Sequence, residues 1–184
     1  MVKAAAVVTG DGAELQSLLD GMFFGEVPNF SLSAVVATEP GSAALRRAEA
    51  QHIATYTVDA GIFPNAATFT RALSAKLQDI DAEMAVLVSL EPEPAESFYR
   101  EYSGKCVCLR LSERLKGAAE RGDGAVVATA LLADADGSEA RRYGRVSAEV
   151  KPGDSVSQLR RRLVESGAGE LLTKALKDYM REFH

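Results

Sequence analysis

The sequence predicts a doubly wound α/β domain whose sheet is mostly parallel and turns antiparallel toward the C-terminus. Three observations carry this expectation. Short apolar runs alternate with helix-period segments as far as Leu109, the connections between them are short, and beyond Gly122 the pattern changes to long strands around a turn-rich loop. Alternation with short connections implies right-handed crossovers and parallel pairing. At 184 residues, with no linker, low-complexity stretch or internal repeat, the chain reads as one domain, 1–184.

Ala4–Val8 is an apolar run of strand length, expected at the centre of the sheet. Thr9-Gly10-Asp11-Gly12 then turns the chain, and Ala13–Leu19 resumes at helical spacing with Leu15, Leu18 and Leu19 on one face. Strand, glycine turn and helix together create a helix N-terminus, a natural anion site. Gly10, Asp11, Gly12, Ala13 and Glu14 are therefore candidate ligand-binding residues. The pattern is not G-x-G-x-x-G, because Leu15 stands three residues after Gly12, and it is not a Walker loop. A turn that merely joins strand to helix is the competing reading. Asp11 and Glu14 favour it, since they repel an anion that the helix dipole attracts.

After a turn at Pro28-Asn29, Leu32–Thr38 is the second strand; Ser42 caps a helix to about Gln51, and Ile53–Val58 is a short third strand. A helix over Ala66–Leu77 buries Phe69, Leu73 and Leu77. Met84–Val88 is a fully apolar fourth strand, Glu91–Pro94 opens a helix toward Tyr102, and Cys106–Leu109 is the fifth strand. Leu111–Glu120 is a weak, charged helical segment in which Ser112 reads as a cap. Ala125–Ala133 is a long apolar strand, Asp134–Glu139 a turn-rich loop, and Tyr143–Val150 alternates like a half-exposed antiparallel strand. Ser155 caps a helix with Val156, Leu159 and Leu163 on its apolar stripe, broken at Ser166–Gly169 before Leu171–Phe183. Arg160-Arg161-Arg162 reads as a solvated face with one residue buried along its stem.

A net charge of −5 gives no support for a nucleic-acid or anionic-membrane partner. No signal-peptide pattern and no apolar run of spanning length is present, so the expected compartment is the cytoplasm. Cys106 and Cys108 face the same side of a strand and read as free core thiols, while His52 and His184 are the sole histidines, so no metal centre is expected. Asp134, Asp136 and Glu139 read as a solvated acidic turn rather than a cation site.

VVTGDGAELQSLL, FGEVPN, VVATEPGSAALRRAEAQHIATYTVD, the FP before the third helix, FYREYSGK and VKPGDSVSQLRRRL, in this order and spacing, carry a likeness over nearly the whole chain. By these the sequence resembles the glycinamide ribonucleotide formyltransferases, folate-dependent enzymes of purine synthesis. The resemblance implies a three-layer Rossmann-like formyltransferase fold with antiparallel C-terminal strands. It also implies a chemistry in which an Asn-x-His pair and a later Asp pass a formyl group from 10-formyltetrahydrofolate to an amine. In this sequence the Asn falls on Cys108, the His on Arg110, the following Pro-Ser on Leu111-Ser112, and the Asp on or near Ser138. Arg stays protonated, so Arg110 cannot replace an imidazole that must gain and lose a proton. The family's phosphate-holding pair becomes Ala13-Glu14, and its folate-pocket run becomes Leu90-Glu91-Pro92-Glu93-Pro94. The segment between Gly117 and Ala125 is several residues shorter than the family's.

The catalytic set is therefore read as not intact, and the chain as a pseudoenzyme or a relative that binds another small molecule or a protein. Arg110 and Ser112 join the glycine-turn residues as ligand-binding candidates, no cofactor is expected, and a homodimer is left open. The alternative is an active formyltransferase that takes 10-formyltetrahydrofolate and uses Asp134 or Asp136 as a shifted acid. An enzyme of another class would have Arg110, Ser112, Glu113, Asp134 and Asp136 as raw material.

Overall fold

The computed structural model describes residues 1–184. Its chain order is β1 (Val2–Val8), α1 (Ala13–Phe23), β2 (Phe30–Ala37), α2 (Ala43–Glu49), β3 (Ala54–Thr57) and α3 (Ala66–Asp79). There follow β4 (Met84–Val88), α4 (Glu96–Glu101), β5 (Cys106–Leu111), α5 (Leu115–Arg121), β6 (Ala125–Ala133), β7 (Glu139–Glu149), α6 (Val156–Glu165) and α7 (Ala168–Phe183). The seven strands form one sheet in the order β3-β2-β1-β4-β5-β6-β7. Pairing is parallel from β3 to β5 and antiparallel at β5–β6 and β6–β7.

β1 lies inside the sheet, third of seven between β2 and β4, as its alanine- and valine-rich run predicts of a doubly covered strand. Ala4 to Val8 are fully buried and contribute alternately to two core clusters, one on each face. Small side chains suit a strand covered on both sides. The larger cluster, of 33 residues, lies under α1, α2, α5, α6 and α7; the smaller, of 17, lies under α3 and α4. The result is a three-layer α/β/α sandwich. No helix is long and apolar enough to cross a membrane.

The caps legible in the sequence are present. Ser42 Oγ accepts from Ala44 N at 3.2 Å. Ser155 and Gln158 form a reciprocal capping box, with bonds of 3.1 and 2.8 Å. Several expectations are corrected. Ser112 caps no helix: it continues the β5–β6 ladder, its N donating to Val127 O and its Oγ accepting from Val127 N. Leu111 is likewise strand, so α5 begins only at Leu115. Glu91–Pro94 is loop, and α4 starts at Glu96. The last strand begins at Glu139 rather than Tyr143, because β6 gives it partners that its own charged sequence does not advertise. A 3-10 turn at Ala60–Ile62 was not foreseen.

Asp154, just before α6, holds two nitrogens of Arg162 at 2.6 and 3.0 Å. The Arg162 hydrogen bond and the Lys151 amide lower its carboxyl from 3.8 to about 2. A depressed folded-state value contributes stability above the unfolded value, and that contribution is lost as pH falls through the folded one. Denaturant melts of the wild type are expected to weaken between about pH 4 and pH 2 more steeply than those of Asp154→Asn. Parallel curves would show that the pair is not coupled to folding.

Candidate functional site

In an open α/β sheet, ligands meet the crevice outside the carboxyl ends of the strands where the strand order reverses. Here that point lies between β1 and β4, whose ends lead into Thr9-Gly10-Asp11-Gly12 and Ser89-Leu90-Glu91. Thr9 Oγ1 ties the two loops: it accepts from Glu91 N at 3.0 Å and shares a 2.7 Å hydrogen bond with Thr38 Oγ1. Gly10 and Gly12 both have positive φ, 93° and 75°. Each also admits a neighbour no side chain would tolerate. A Cβ on Gly12 would lie 2.6 Å from Ala44 Cβ, and one on Gly10 would lie 2.5 Å from Arg160 Cζ.

The turn is thus closed by Arg160, which reaches in from α6. Arg160 is 7% exposed, and its Nη1 donates to Thr9 O and to Glu14 Oε1, both at 3.3 Å. Glu14, in the first turn of α1, is 1% exposed and also accepts from Ser89 Oγ at 3.2 Å, while its Oε2 has no partner. Two expectations are corrected here. Arg160 is the one buried residue of the Arg160–Arg162 run, but its head is not left in solvent as a stem-buried arginine's would be: Nη1 is bonded inside to Thr9 O and Glu14 Oε1. Glu14 is not a lone repelling charge at the helix N-terminus, because Arg160 neutralises it.

The other donors around the crevice are also met by the chain's own carboxylates. Glu39 Oε1 accepts from Gly10 N at 2.9 Å, and Asp11 Oδ1 from Ala13 N at 3.0 Å. Glu91 Oε1 accepts from Leu115 N, at the start of α5, at 3.2 Å. Glu93 Oε1 lies 2.8 Å from Arg110 Nε, a charge contact whose N–H is not aligned for a hydrogen bond. Arg110 Nη2 donates to Tyr99 OH at 3.3 Å, and the guanidinium lies over the Tyr99 ring. Burial first, then Cys108 and Glu93, pushes the Tyr99 phenol up, so it stays neutral. Burial pulls Arg110 down, but Cys108, Glu93 and Tyr99 outweigh it and hold the guanidinium above its ordinary value. Arg110 is a fixed cation with no proton to give.

Cys108 is 2% exposed and turned into the smaller core, its Sγ 3.7 Å from that of Cys106. The hydrogen bond to Cys108, then burial, pushes the Cys106 thiol well up. Both are core thiols, as their spacing predicts. Ser138 lies in the β6–β7 loop, where its N and Oγ donate to Asp136 Oδ1 and push that carboxyl down. Asp134 Oδ1 accepts from Ala135 N at 2.8 Å. Ser138, Asp134 and Asp136 are all exposed, in a loop bonded to itself. Glu113 pairs with Arg121. The structure therefore brings together Gly10, Asp11, Gly12, Ala13 and Glu14, but it leaves Cys108 in the core and Ser112 in the sheet. No group of three or more His, Cys, Asp or Glu side chains gathers to hold a metal ion.

Sequence reading missed Arg160, Glu39, Ser89 and Tyr99 as participants. Ser89 directly follows β4 and Glu39 comes two residues after β2, so the strand-end rule would have nominated both. Arg160 stands four residues after Val156 and three before Leu163, inside the apolar stripe of α6. A charge on that face signals a buried partner.

No family model and no curated protein matches the chain. Solved structures do. It is similar to glycinamide ribonucleotide transformylase 1 of Symbiobacterium toebii, at 20% identity over 99% of this chain and 89% of that one, with a TM-score of 0.77. The enzyme of the same name from Geobacillus kaustophilus is 17% identical over 98% and 99%, with a TM-score of 0.74. A formyltetrahydrofolate deformylase of Pseudomonas putida KT2440 is 17% identical over 98% of this chain and 66% of that one, with a TM-score of 0.73. The fold expected from the resemblance is thus the fold observed.

Proposed function

We propose that this chain, which has the fold of glycinamide ribonucleotide transformylases and formyltetrahydrofolate deformylases, does not transfer formyl groups and binds a different ligand at the same crevice. One observation carries the reading. Gly10 N, Ala13 N, Leu115 N, Arg160 and Arg110 each already face a carboxylate of the chain, in turn Glu39, Asp11, Glu91, Glu14 and Glu93. A phosphate or a polyanionic folate arriving there would have to displace these carboxylates and would meet their charge. The residues at the expected catalytic positions support the reading too. Cys108 is core, Arg110 is a permanent cation, and Ser138 holds down Asp136, one of the two carboxyls that a shifted mechanism could use.

Binding measurements test this. Inorganic phosphate and 10-formyltetrahydrofolate are each expected to leave the melting temperature of the wild type unchanged. Ala13→Ser with Glu14→Asn adds donors and frees Arg160, so phosphate should then raise the melting temperature by mass action. Saturable binding of either compound to the wild type would overturn the reading.

A further inference from the structure

We infer that the crevice at the glycine turn is a site for a zwitterionic amino compound, of which a free α-amino acid is the simplest form. This rests on the reading of the crevice as a binding site. The cleft has a volume of about 460 Å³ and is lined by Gly10, Asp11, Glu39, Ser42, Glu91 and Arg160, among others. That size is within the range of small-molecule sites.

Arg160 supplies the first half of the recognition. Its Nη1 is anchored on Thr9 O and Glu14 Oε1, whereas Nε and Nη2 donate to no protein atom and are not sealed from solvent. Nε and Nη2 form the side edge of the guanidinium, the fork that matches a carboxylate with two parallel hydrogen bonds. A side chain this deeply buried, fixed at one end and with a donor pair left over in a cleft, is a built recognition element.

The carboxylates supply the second half. Glu39, Asp11 and Glu91 each commit one oxygen to a backbone amide, which positions them, and the second oxygen of each accepts from no protein donor. Glu14 already balances the charge of Arg160. The lining is therefore net negative while still offering a carboxylate fork. An inorganic anion meets that negative surplus, and a simple amine leaves the fork empty. A molecule carrying both a carboxylate and an ammonium satisfies both sides, with the ammonium held by the free oxygens of the acidic rim.

The test is a thermal-shift and calorimetric screen of the intact chain against the twenty free L-amino acids, taken singly. At least one is expected to bind saturably and raise the melting temperature. Its N-acetyl and α-amide derivatives should each bind at least about tenfold more weakly, the loss typical of removing a charge-assisted contact. Arg160→Lys keeps a cation near Glu14 but loses the fork, and should weaken binding to a similar degree. Glu39 is exposed, so Glu39→Gln keeps the fold and the amide bond while removing rim charge. It should weaken binding several-fold even if Arg160→Lys does not fold. Absence of binding by all twenty, equal binding of the blocked derivatives, or undiminished binding by Glu39→Gln would each overturn the inference. Running formyl transfer on the same preparation separates the two failures. Turnover would refute the loss of activity, whereas neither turnover nor amino-acid binding would refute the ligand class alone.

Discussion

Arg160→Ala is expected to lower the unfolding free energy by about 3–5 kcal/mol, the range found when one partner of a buried ion pair is removed. Glu14 is 1% exposed and would keep only Ser89 Oγ as a partner, with its Oε2 already unbonded. The loss comes chiefly from that stranded carboxylate, not from the 3.3 Å contact itself. For a chain of this length the melting temperature should fall by roughly 10 °C, at 2–4 °C per kcal/mol. Arg161→Ala, one residue on and exposed, should stay within about 0.5 kcal/mol of wild type.

The double variant Glu14→Gln with Arg160→Met should sit closer to wild type than Arg160→Met alone. Removing both charges strands neither, and residues in direct contact show coupling of about 0.5–3 kcal/mol. Urea melts of the four species give the coupling directly. A loss below 1 kcal/mol in Arg160→Ala, or strict additivity in the cycle, would show that the pair does not hold α6 over the glycine turn.

The same pair marks where sequence reading stopped. β1, β4 and the caps at Ser42 and Ser155 were legible, because each depends on local pattern: an apolar run, a turn, a hydroxyl before a helical stripe. The antiparallel end of the sheet was legible from the change of pattern after Gly122. The start of β7 was not, because Glu139 to Arg142 are exposed, three of the four are charged, and they are strand only through their pairing with β6. Arg160 and Glu14 are 146 positions apart, and nothing local to either says that they meet. Glu14 alone read as a repelling charge, and Arg160–Arg162 as a solvated face with one residue buried along its stem. The charges on the glycine turn were visible, but their neutralisation was a tertiary fact. Ser112 failed for the opposite reason: a hydroxyl before a polar segment looks like a cap, while the ladder to Val127 claims both its backbone and its side chain.

Loss of formyl transfer is the largest effect expected. Groups that act as a unit fail as a unit, so on the proposed reading, with Cys108, Arg110 and Ser138 standing where the resemblance expects oxyanion donor, acid–base group and relay acid, the loss is about that of the worst single change, several orders of magnitude in rate. Arg110→His alone should restore nothing. The new imidazole would stand beside Glu93 and Tyr99, with no Asn at Cys108, and Asp136 would still be held by Ser138. Cys108→Asn, Arg110→His and Ser138→Asp together should recover little, because Glu91 in the crevice and Glu93 beside position 110 would still oppose a polyanionic donor.

Steady-state formyl transfer from 10-formyltetrahydrofolate to glycinamide ribonucleotide by the purified wild-type chain tests this most directly. The predicted rate is that of the protein-free control, at every enzyme concentration and in Arg110→His alike. A rate above that control and proportional to wild-type chain would contradict the account, and its loss in Asp134→Asn or Asp136→Asn would assign the acid to the β6–β7 loop.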